Sequence, residues 1–424
     1  MRSSAGRANI WLAGIALAFA ALAIAQSYAA KFSTAPDEQA HLVYVQSLAL
    51  DGRIPRLPTT PHEPERYAPG QSVSHQGQHP PLYYAVAAAV YRAASVRDDE
   101  RAYRVLRFLS IAIGLAALAL QWRLACLVFQ QAHLRLACLA ILAFMPMFTY
   151  IMAVVNNDCL AVLFFIGALA AILRCISKPG DMWGPVKIGL WIAAAVATKE
   201  SALALLPVAA AAILLARGGV RFRSRLLQAA VVVAVGLLPA CAWWYRNWVL
   251  HGTPFVYAYV EPIFRSTSDA LSKPGAAIFM LFITAGQGFA FFWGPWWELE
   301  KHIPLAAYVA GNGLVAVAAI VGVLLFFIDA AKRRPTVQVQ VLPVALMLAL
   351  VILVCIGIAR YTLFVDFRAL QGGRYLIVAW PALAVLITVG LSALMGRAAK
   401  IGLIIFGLLW LVWDAACILL VARG

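Results

Sequence analysis

Residues 9–30 read NIWLAGIALAFAALAIAQSYAA, a run without a charged side chain. About 20 apolar residues are needed for a helix to cross the hydrocarbon core of a bilayer. Similar runs recur along the chain, in which 63% of the 424 residues are hydrophobic and 12% are charged. Soluble domains carry about 25% charged residues, so this composition excludes a soluble enzyme. Continuous apolar runs favour helices over a barrel, whose strands alternate apolar and polar residues.

The apolar runs predict an all-α, polytopic integral membrane protein that forms a single transmembrane domain over residues 1–424. About eleven transmembrane helices are expected, at 9–30, 105–128, 135–155, 159–176, 186–200, 201–216, 227–249, 304–328, 339–364, 375–396 and 400–421. A cleaved signal peptide is an alternative for the first run, because Ser27-Tyr28-Ala29-Ala30 is similar to a cleavage site. The length of that run favours an uncleaved anchor.

The formal charge of +16 follows the topology and does not indicate a nucleic-acid partner. Alternate connections between the spans are short and basic, and they contain only two acids, Asp181 and Asp329. Their sixteen Lys and Arg residues are Arg2, Arg7, Arg123, Arg135, Arg174, Lys178, Lys187, Arg217, Arg221, Arg223, Arg225, Lys332, Arg333, Arg334, Arg397 and Lys400. The positive-inside rule places these connections and the N-terminus in the cytoplasm.

Two stretches are too polar to cross the bilayer, and both lie on the external side of this topology. The first loop, 31–104, is predicted to contain an amphipathic helix at 37–50 and a second juxtamembrane helix at 80–94. The second segment, 251–303, contains the run FAFFWGPWW, which is typical of an interfacial aromatic belt or of the wall of a binding groove. Within it, residues 277–293 are predicted to form a re-entrant hairpin.

Nine polar side chains collect at the external ends of the predicted spans or in the first loop, where burial is costly and a functional role is the default hypothesis. They are Asp37, Glu38, His79, Asn157, Asp158, Lys199, Glu200, Arg246 and Arg374, and Asn156, His75, Asp366 and Arg368 lie beside them in the sequence or on the same face. Structural alternatives exist for several of them. Asp37 and Asp158 are also suited to helix capping, and Arg246 to snorkelling towards the interface. The convergence of all nine on one face favours a functional site.

This mixture of groups suits the transfer of a sugar from a lipid phosphate. A carboxylate can take the proton of an acceptor hydroxyl, and cations or a divalent metal can stabilise the departing phosphate. The sequence contains no GxxxxGKS/T, HExxH or GxSxG motif, so an ATPase, a zinc protease or a serine hydrolase has no support. A flippase for lipid-linked sugars and a non-catalytic subunit of a polysaccharide assembly system stay open as alternatives.

The chain resembles the GT-C superfamily of membrane glycosyltransferases, which includes protein O-mannosyltransferases and the lipid A aminoarabinose transferase. The resemblance rests on segments that occur in the same order along the chain. They are PDEQAHLVYVQSLALDGRIP, HPPLYYAVAAAVY, YIMAVVNNDCLAVLFF, ATKESALALLP, WWYRNWVLHGTPF and GGRYLIVAWPALAVL. The segment FAFFWGPWWELEKHIP is most similar to a bacterial branch of unknown function.

The resemblance implies a polyprenyl-phosphate sugar donor, a lipid, glycan or protein acceptor, and a site on the external face of a bacterial inner (plasma) membrane. Asp37 would be the catalytic base, with Glu38 beside it, and Asp158 a second catalytic acid that orients the acceptor or a metal. The implied substrate-binding residues are His79, Asn157, Lys199, Glu200, Arg246 and Arg374. Mg or Mn would be the divalent metal where one is used, since metal dependence varies within the superfamily.

Overall fold

The computed structural model describes residues 2–33, 35–60, 63–96, 98–178, 181–216, 220–256, 264–332, 337–365 and 375–423. Asp366, Arg368 and Arg374, and Arg217, Arg333 and Arg334 of the basic connections, lie outside these ranges. The α-helices found within them are α1 (Arg2–Ala29), α2 (Glu38–Gln46), α3 (Leu82–Ala93), α4 (Asp99–Val128), α5 (Ala132–Ala143), α6 (Pro146–Ile151), α7 (Asp158–Ser177), α8 (Gly184–Val196), α9 (Leu205–Leu215), α10 (Phe222–His251), α11 (Thr267–Ser272), α12 (Pro274–Trp293), α13 (Trp296–Leu299), α14 (Leu305–Ala331), α15 (Val341–Phe364), α16 (Trp380–Met395) and α17 (Ala399–Val421).

Eight segments of the described chain are long and apolar enough to cross a membrane. They are Ala8–Ala29, Asp99–Val128, Asp158–Ser177, Phe222–His251, Pro274–Trp293, Leu305–Ala331, Val341–Phe364 and Tyr375–Val421. The last segment contains both α16 and α17, and three shorter apolar helices fall on the predicted spans 135–155, 186–200 and 201–216. The predicted all-α, polytopic membrane fold is confirmed.

The span predicted at 135–155 is not one helix, because Pro146 divides it into α5 and α6. A proline disfavours helical geometry in the residue before it, and Met145 is extended, with φ −71° and ψ 116°. Pro146 then begins α6, where its missing N–H costs nothing. The break brings Thr149 to α17, where its hydroxyl donates to the fully buried Asp414 at 2.6 Å.

The re-entrant hairpin predicted at 277–293 is wrong, because this stretch lies within the continuous helix α12. Its internal Gly286 costs a helix only about 1 kcal/mol relative to alanine, which does not force a turn. The helix ends just before Pro295, which lacks the N–H that a further turn needs. Trp293 at its end packs edge-on against Trp410 of α17, with ring centroids 5.6 Å apart. The interfacial alternative for 251–303 stays a prediction.

The two helices predicted in the first loop are present as α2 and α3, but α2 does not present a polar face to solvent. The polar side chains that define its amphipathic pattern, Glu38, His41 and Gln46, are 0%, 4% and 8% exposed, and Gln39 is the one polar side chain of the helix that is exposed. Each bonds inside the protein: Glu38 with Arg107, His41 with Tyr84 and Gln46 with Asp99. The amphipathic pattern therefore marks polar contacts within the fold, and the prediction of an interfacial surface helix is wrong for α2.

Helices α14 and α16 make a close crossing through two glycines. A Cβ atom added to Gly322 would lie 1.8 Å from the carbonyl oxygen of Gly390. One added to Gly390 would lie 2.3 Å from the carbonyl oxygen of Ala319. Small residues at such crossings allow the backbones of membrane helices to approach each other. The crossing fixes the position of α14 against α16, the helix that comes before α17 in the chain.

Candidate active site

The beginnings of α4 and α7 and the ends of α1 and α8 meet at one end of the helix bundle. In α4, Nη1 of Arg107 donates to the carbonyl oxygens of Ser27 and Ala30, at 2.7 Å each, where α1 ends. The N–H of Leu82, at the start of α3, donates to the carbonyl oxygen of Ala197 just after α8, at 3.1 Å. The eight predicted site residues that the structure describes lie on elements that reach this end.

Asp37 lies in the turn before α2 with a left-handed backbone, φ 61° and ψ 6°. Aspartate tolerates this region better than most residues. The carbonyl oxygen of Asp37 accepts a hydrogen bond from the N–H of His41 at 2.9 Å, which continues the first turn of the helix. Its carboxylate does not cap the helix, and the side chain is 28% exposed. The capping alternative therefore does not account for this carboxylate.

His75 connects Asp37 to Glu65. Its Nε2 lies 3.3 Å from Oδ1 of Asp37, and its Nδ1 lies 2.5 Å from Oε1 of Glu65. Burial lowers the pKa of the imidazole, but the hydrogen bonds to Asp37 and Glu65 outweigh burial and raise that pKa to about 9. The ring is therefore a cation at neutral pH and donates from both nitrogens.

A stacked pair of buried tyrosines lies next to this turn. The rings of Tyr44 from α2 and Tyr84 from α3 are 3.7 Å apart, and both side chains are fully buried. Nδ1 of His41 and the hydroxyl of Tyr84 are hydrogen-bonded at 2.9 Å, and the hydroxyl of Tyr44 donates to the carbonyl oxygen of His79 at 3.3 Å. These bonds fix the segment that carries His79 against α2.

The tyrosine pair is the common neighbour of three predicted site residues on different elements. Burial raises the pKa of the Tyr44 hydroxyl, and the positive charge of Arg246 acts in the opposite direction. Burial and the neighbouring tyrosines raise the pKa of Tyr84, and the carboxylates of Asp158 and Asp37 raise it further. The charges of Arg246, Asp158 and Asp37 therefore act on the hydroxyls of this stacked pair.

Glu38 is fully buried and is bonded in two directions. Nε and Nη2 of Arg107 donate to its two carboxylate oxygens at 2.8 and 2.7 Å. The N–H of Val155, just before α7, donates to Oε1 at 2.9 Å. Arg107 itself is 1% exposed and also binds carbonyl oxygens at the end of α1. This bidentate pair joins α1, α2, α4 and the start of α7 and thereby fixes the position of the adjacent Asp37.

Asp158, in the first turn of α7, forms a buried ion pair with Lys199. The carboxylate Oδ1 and the ammonium Nζ are 2.5 Å apart, and the side chains are 8% and 11% exposed. Nζ also lies 5.3 Å from the ring centre of Tyr375. The side chain of Asp158 does not cap α7, because Oδ1 of Asn156 takes that role for the N–H of residue 159 at 3.1 Å. Nδ2 of Asn157 is buried without a hydrogen-bond partner among the described residues.

Glu200 and Arg246 lie where α10 approaches the end of α8. Oε1 of Glu200 accepts a hydrogen bond from the indole N–H of Trp244 at 2.6 Å. The guanidinium of Arg246 stacks over the ring of Trp243 at 4.5 Å and donates to Oδ1 of Asn247 at 3.0 Å. Arg246 is half-buried, and no carboxylate of the described chain lies within ion-pair distance of it. Arg246 is therefore a cation that no carboxylate of the described residues neutralises.

The sequence analysis missed Arg107, Glu65 and the role of His75. Arg107 falls inside the predicted span 105–128, where a charge needs a partner, so its presence was the signal for the bond to Glu38. His75 was only one of the polar residues of the first loop, and Glu65 gave no signal. They lie in a polar loop, and their contact with each other and with Asp37 depends on the folded path of that loop.

The donor set does not fit a divalent metal as the described residues are arranged. Oδ1 of Asp37 faces the His75 ring, and Oδ1 of Asp158 holds the ammonium of Lys199. Three or more His, Cys, Asp or Glu side chains in ligating positions occur nowhere in the described part of the chain. Cations of the protein itself occupy the positions next to both carboxylates, so Mg or Mn stays a prediction without a ligand set.

Comparison with known protein families gives a match to the model of dolichyl-phosphate-mannose-protein mannosyltransferases over residues 78–244. That range runs from within the first loop, just before α3, into α10 and includes Asp158 and Lys199. A search among curated proteins gives no match. The family match therefore covers the middle of the candidate site and leaves Asp37 and Arg246 outside it.

The fold is similar to that of the Archaeoglobus fulgidus oligosaccharyltransferase in a crystal structure with Zn and sulfate, with 17% identity, a TM-score of 0.57 and 97% of this chain covered. The same enzyme, AglB, with an inhibitory peptide and a dolichol-phosphate matches at 15% identity, a TM-score of 0.56 and 98% coverage. This chain covers 52% and 55% of those two chains, about half their length.

A weaker similarity, with a TM-score of 0.43 and 14% identity, is to apo ArnT from Cupriavidus metallidurans, covering 94% of this chain and 78% of that one. The archaeal enzyme, which matches almost the whole of this chain, shows the fold. With the mannosyltransferase match over 78–244, it confirms the resemblance predicted from the sequence. The chain has the fold of the GT-C superfamily of membrane glycosyltransferases.

Proposed function

We propose that this protein is a glycosyltransferase that transfers a sugar from a polyprenyl-phosphate donor to a hydroxyl of a lipid, glycan or protein acceptor. The observation that carries the proposal is the end of the bundle where the bonds of Glu38 hold the turn of Asp37 against the start of α7, which carries the Asp158–Lys199 pair, and where Arg246 of α10 lies close to Glu200. It supplies a partly exposed carboxylate and a half-buried cation that no acid of the described chain neutralises. The match to mannosyltransferases and the GT-C fold support the same reaction class.

In this proposal Asp37 is the general base. Its carboxylate takes the proton of the acceptor hydroxyl while the acceptor oxygen forms a bond to the anomeric carbon of the sugar. The bond from that carbon to the phosphate oxygen breaks, and polyprenyl phosphate leaves as an anion. Glu38 is a positioning residue, because its bonds to Arg107 and Val155 fix the turn that carries Asp37.

Lys199 and Arg246 would stabilise the departing phosphate, together with Arg374, which lies outside the described residues. An ammonium has three N–H donors, and the bond to Asp158 uses one of them. Lys199 can therefore remain paired and still donate to a phosphate oxygen. The buried amide of Asn157, next to this pair, would bond to the sugar or the phosphate, which would satisfy its unpartnered Nδ2.

His79 and Glu200 contribute to this proposal through the segments that they hold. The carbonyl oxygen of His79 binds Tyr44, so the loop before α3 stays beside the base and the His79 ring can reach the donor. Glu200 binds Trp244 two residues before Arg246, which fixes the end of α10 and so the direction of the guanidinium. Both would act on binding of the donor more than on proton transfer.

The lipid part of the donor needs an apolar surface close to the phosphate contacts. On α10, Leu238, Tyr245 and Trp248 are 65%, 72% and 60% exposed, and they precede or flank Arg246. AglB from Archaeoglobus fulgidus forms a complex with a dolichol-phosphate, a lipid of the same chemical class. We place the isoprenoid along this face of α10, with its phosphate at Arg246. On the positive-inside topology, the site lies at the external face of a bacterial inner membrane.

The test is a transfer assay with protein reconstituted in lipid, a panel of labelled polyprenyl-phosphate sugars and membrane extract as acceptor. Asp37→Asn should reduce transfer at least about 100-fold, since general bases contribute that much or more. Asp181→Asn is the matched control, because Asp181 is 42% exposed and follows the opposite end of α7 from Asp158. It should retain wild-type transfer.

Full activity in the Asp37→Asn variant would remove Asp37 from the mechanism. Donors that bind to wild-type protein but are never transferred, across the whole panel, would refute the glycosyltransferase proposal. That result would favour a flippase for lipid-linked sugars or a non-catalytic subunit of an assembly system. Movement of the bound donor between leaflets would then separate these two alternatives.

A further inference from the structure

The segment that carries His75 is held rigidly against α2. The hydroxyl of Ser74 donates to the carbonyl oxygen of Ala40 at 2.8 Å and accepts from the N–H of Gln76 at 3.1 Å. These bonds fix the short 3₁₀ turn His75–Gln78 on the helix that follows Asp37. The imidazole is therefore a fixed partner of that carboxylate.

Glu65 is brought to the other side of the ring by a backbone pairing. The N–H and carbonyl groups of Arg66 and Val73 bond to each other in both directions, at 3.1 and 2.9 Å. This antiparallel bridge places the residue before Arg66 next to the residues that follow Val73. Glu65 then accepts both the backbone N–H and the Nδ1–H of His75 on one oxygen, Oε1, at 3.1 and 2.5 Å. These two hydrogen bonds make Glu65 a specific partner of His75.

We propose that His75, oriented by Glu65, is a positioning residue for Asp37 that fixes the direction of its carboxylate and keeps it ionised for proton transfer. The proposal rests on the function proposed for Asp37. The charged groups that face the ring are Asp37, from the turn before α2, and Glu65, from the loop. The remaining neighbour from the 3₁₀ turn, Gln76, is neutral, and one end of its side-chain amide lies 2.9 Å from Nε2 of the ring while the other end bonds to the hydroxyl of Tyr84. With the ring ionised, the amide oxygen is the end that faces Nε2.

Two carboxylates around one imidazole suit this role better than one. An imidazolium next to Asp37 alone would favour the ionised form strongly and make it a poorer base. Because the positive charge of the ring also interacts with Glu65, it stabilises the ionised form of Asp37 less strongly. Asp37 therefore stays oriented and ionised and can still take the proton of the acceptor hydroxyl. In a catalytic triad a carboxylate orients the catalytic histidine through a hydrogen bond. Here the roles are exchanged, and the histidine orients the catalytic carboxylate. The imidazole keeps its own protons throughout the step.

The first test follows the titration of His75 by NMR in ring-labelled protein reconstituted in lipid, with His75→Asn to assign the signal. In wild type we expect a pKa near 9. Glu65→Gln should lower it by about 1 unit or more, since a charged partner is lost. Glu63→Gln is the matched control, because Glu63 pairs with Arg56 and should leave the titration unchanged. Titration near 6.5 in wild type, or no change in Glu65→Gln, would overturn the proposal.

The second test compares the pH dependence of transfer. Glu65→Gln should move the alkaline loss of kcat to lower pH, in step with the His75 titration, and leave KM for the donor within about twofold. His75→Asn should lower kcat about tenfold or more at neutral pH, because the base is no longer oriented. Unchanged pH profiles in both variants would overturn the positioning role. If wild type transfers no sugar, the proposed function fails, and the NMR titration still decides whether His75 is coupled to Glu65.

Discussion

At the scale of single residues, the buried pair Asp158 and Lys199 makes a prediction about stability and activity together. Removing one partner of a buried ion pair leaves an uncompensated charge, which costs about 3–5 kcal/mol. Lys199→Gln should therefore lower the thermal midpoint strongly and reduce transfer. The double variant Asp158→Asn with Lys199→Gln should recover most of the stability but not the activity. Thermal unfolding in lipid nanodiscs and the transfer assay measure the two effects separately.

The control for this prediction is Lys187→Gln. Lys187 pairs with Asp181 at 3.5 Å, but the side chains are 62% and 42% exposed, and exposed pairs contribute about 0–1 kcal/mol. A thermal midpoint of Lys199→Gln equal to that of Lys187→Gln would show that the buried pair is not structural. Recovery of transfer in the double variant would show that neither charge is needed for chemistry.

The residue scale also shows what could be predicted from the sequence. Asp37, Asp158 and Lys199 were predictable, because charges at the ends of apolar spans are costly and need a reason. Their partners were predictable only in part. Lys199 and Asp158 are 41 residues apart and were both predicted for the site, but nothing in the sequence paired them. His75 was noted only as a polar residue of the first loop, without a role, and Glu65 was not noted, since polar residues in a polar loop carry no burial cost until the loop is folded.

At the scale of elements, the crossing of α14 and α16 predicts a sharp difference between two glycines of one helix. Gly322→Ala would place a Cβ 1.8 Å from the carbonyl oxygen of Gly390, so the helices must move apart, at a cost of about 1–3 kcal/mol or more. Gly311→Ala has nothing within 4 Å of the new Cβ and should be neutral or stabilise α14 by up to about 1 kcal/mol. Thermal unfolding of the two variants tests this, and equal midpoints would contradict the crossing.

The first loop predicts a pH dependence with a definite sign. The folded-state pKa of His75 is raised to about 9, above the ordinary value of 6.5. A raised pKa means that the ionised ring stabilises the fold fully below about 6.5, and that this contribution is lost as the pH rises through about 9. Trypsin should therefore cleave at Arg66 faster at pH 9.5 than at pH 7, relative to an unstructured peptide that corrects for the enzyme. The ratio should not change with pH in His75→Asn; a change in that variant would assign the effect to another group.

The elements show why boundaries were less predictable than spans. Hydropathy located most of the candidate spans, because the thickness of a bilayer sets the length of a helix, but it did not predict the span candidate Pro274–Trp293. It did not locate the break at Pro146, although a proline inside an apolar run is a recognised signal for one. It also suggested a hairpin where α12 is continuous, because glycines inside an aromatic run weaken a helix without ending it.

At the scale of the whole molecule, the site depends on all the early helices reaching one end of the bundle together. Bonds from Arg107 to the end of α1 and from Glu38 to the start of α7 occur only if these termini share a membrane face. The ion pair of Asp158 with Lys199 adds the end of α8 to the same face. The basic connections lie at the other ends of these helices, on the side that the positive-inside rule predicts to be cytoplasmic. The site geometry agrees with this prediction in that the termini share one face, and it does not itself say which face is external.

This topology predicts which introduced cysteines a membrane-impermeant thiol reagent reaches in intact cells. Thr60→Cys, exposed in the first loop, should react from outside. Met182→Cys, in the turn between α7 and α8 where Met182 is 80% exposed, should react only after the membrane is opened. The seven native cysteines are free, so each variant is compared with wild type, and labelling of the inside position in broken cells controls for access.

The opposite pattern would invert the topology and move the site to the cytoplasmic face, where a polyprenyl-phosphate donor assembled inside the cell and a nucleotide sugar would both be available. Labelling of both positions from outside would contradict the predicted topology, in which α7 crosses the membrane. This helix of 20 residues, about 30 Å long, separates Asp158 from the turn that contains Met182.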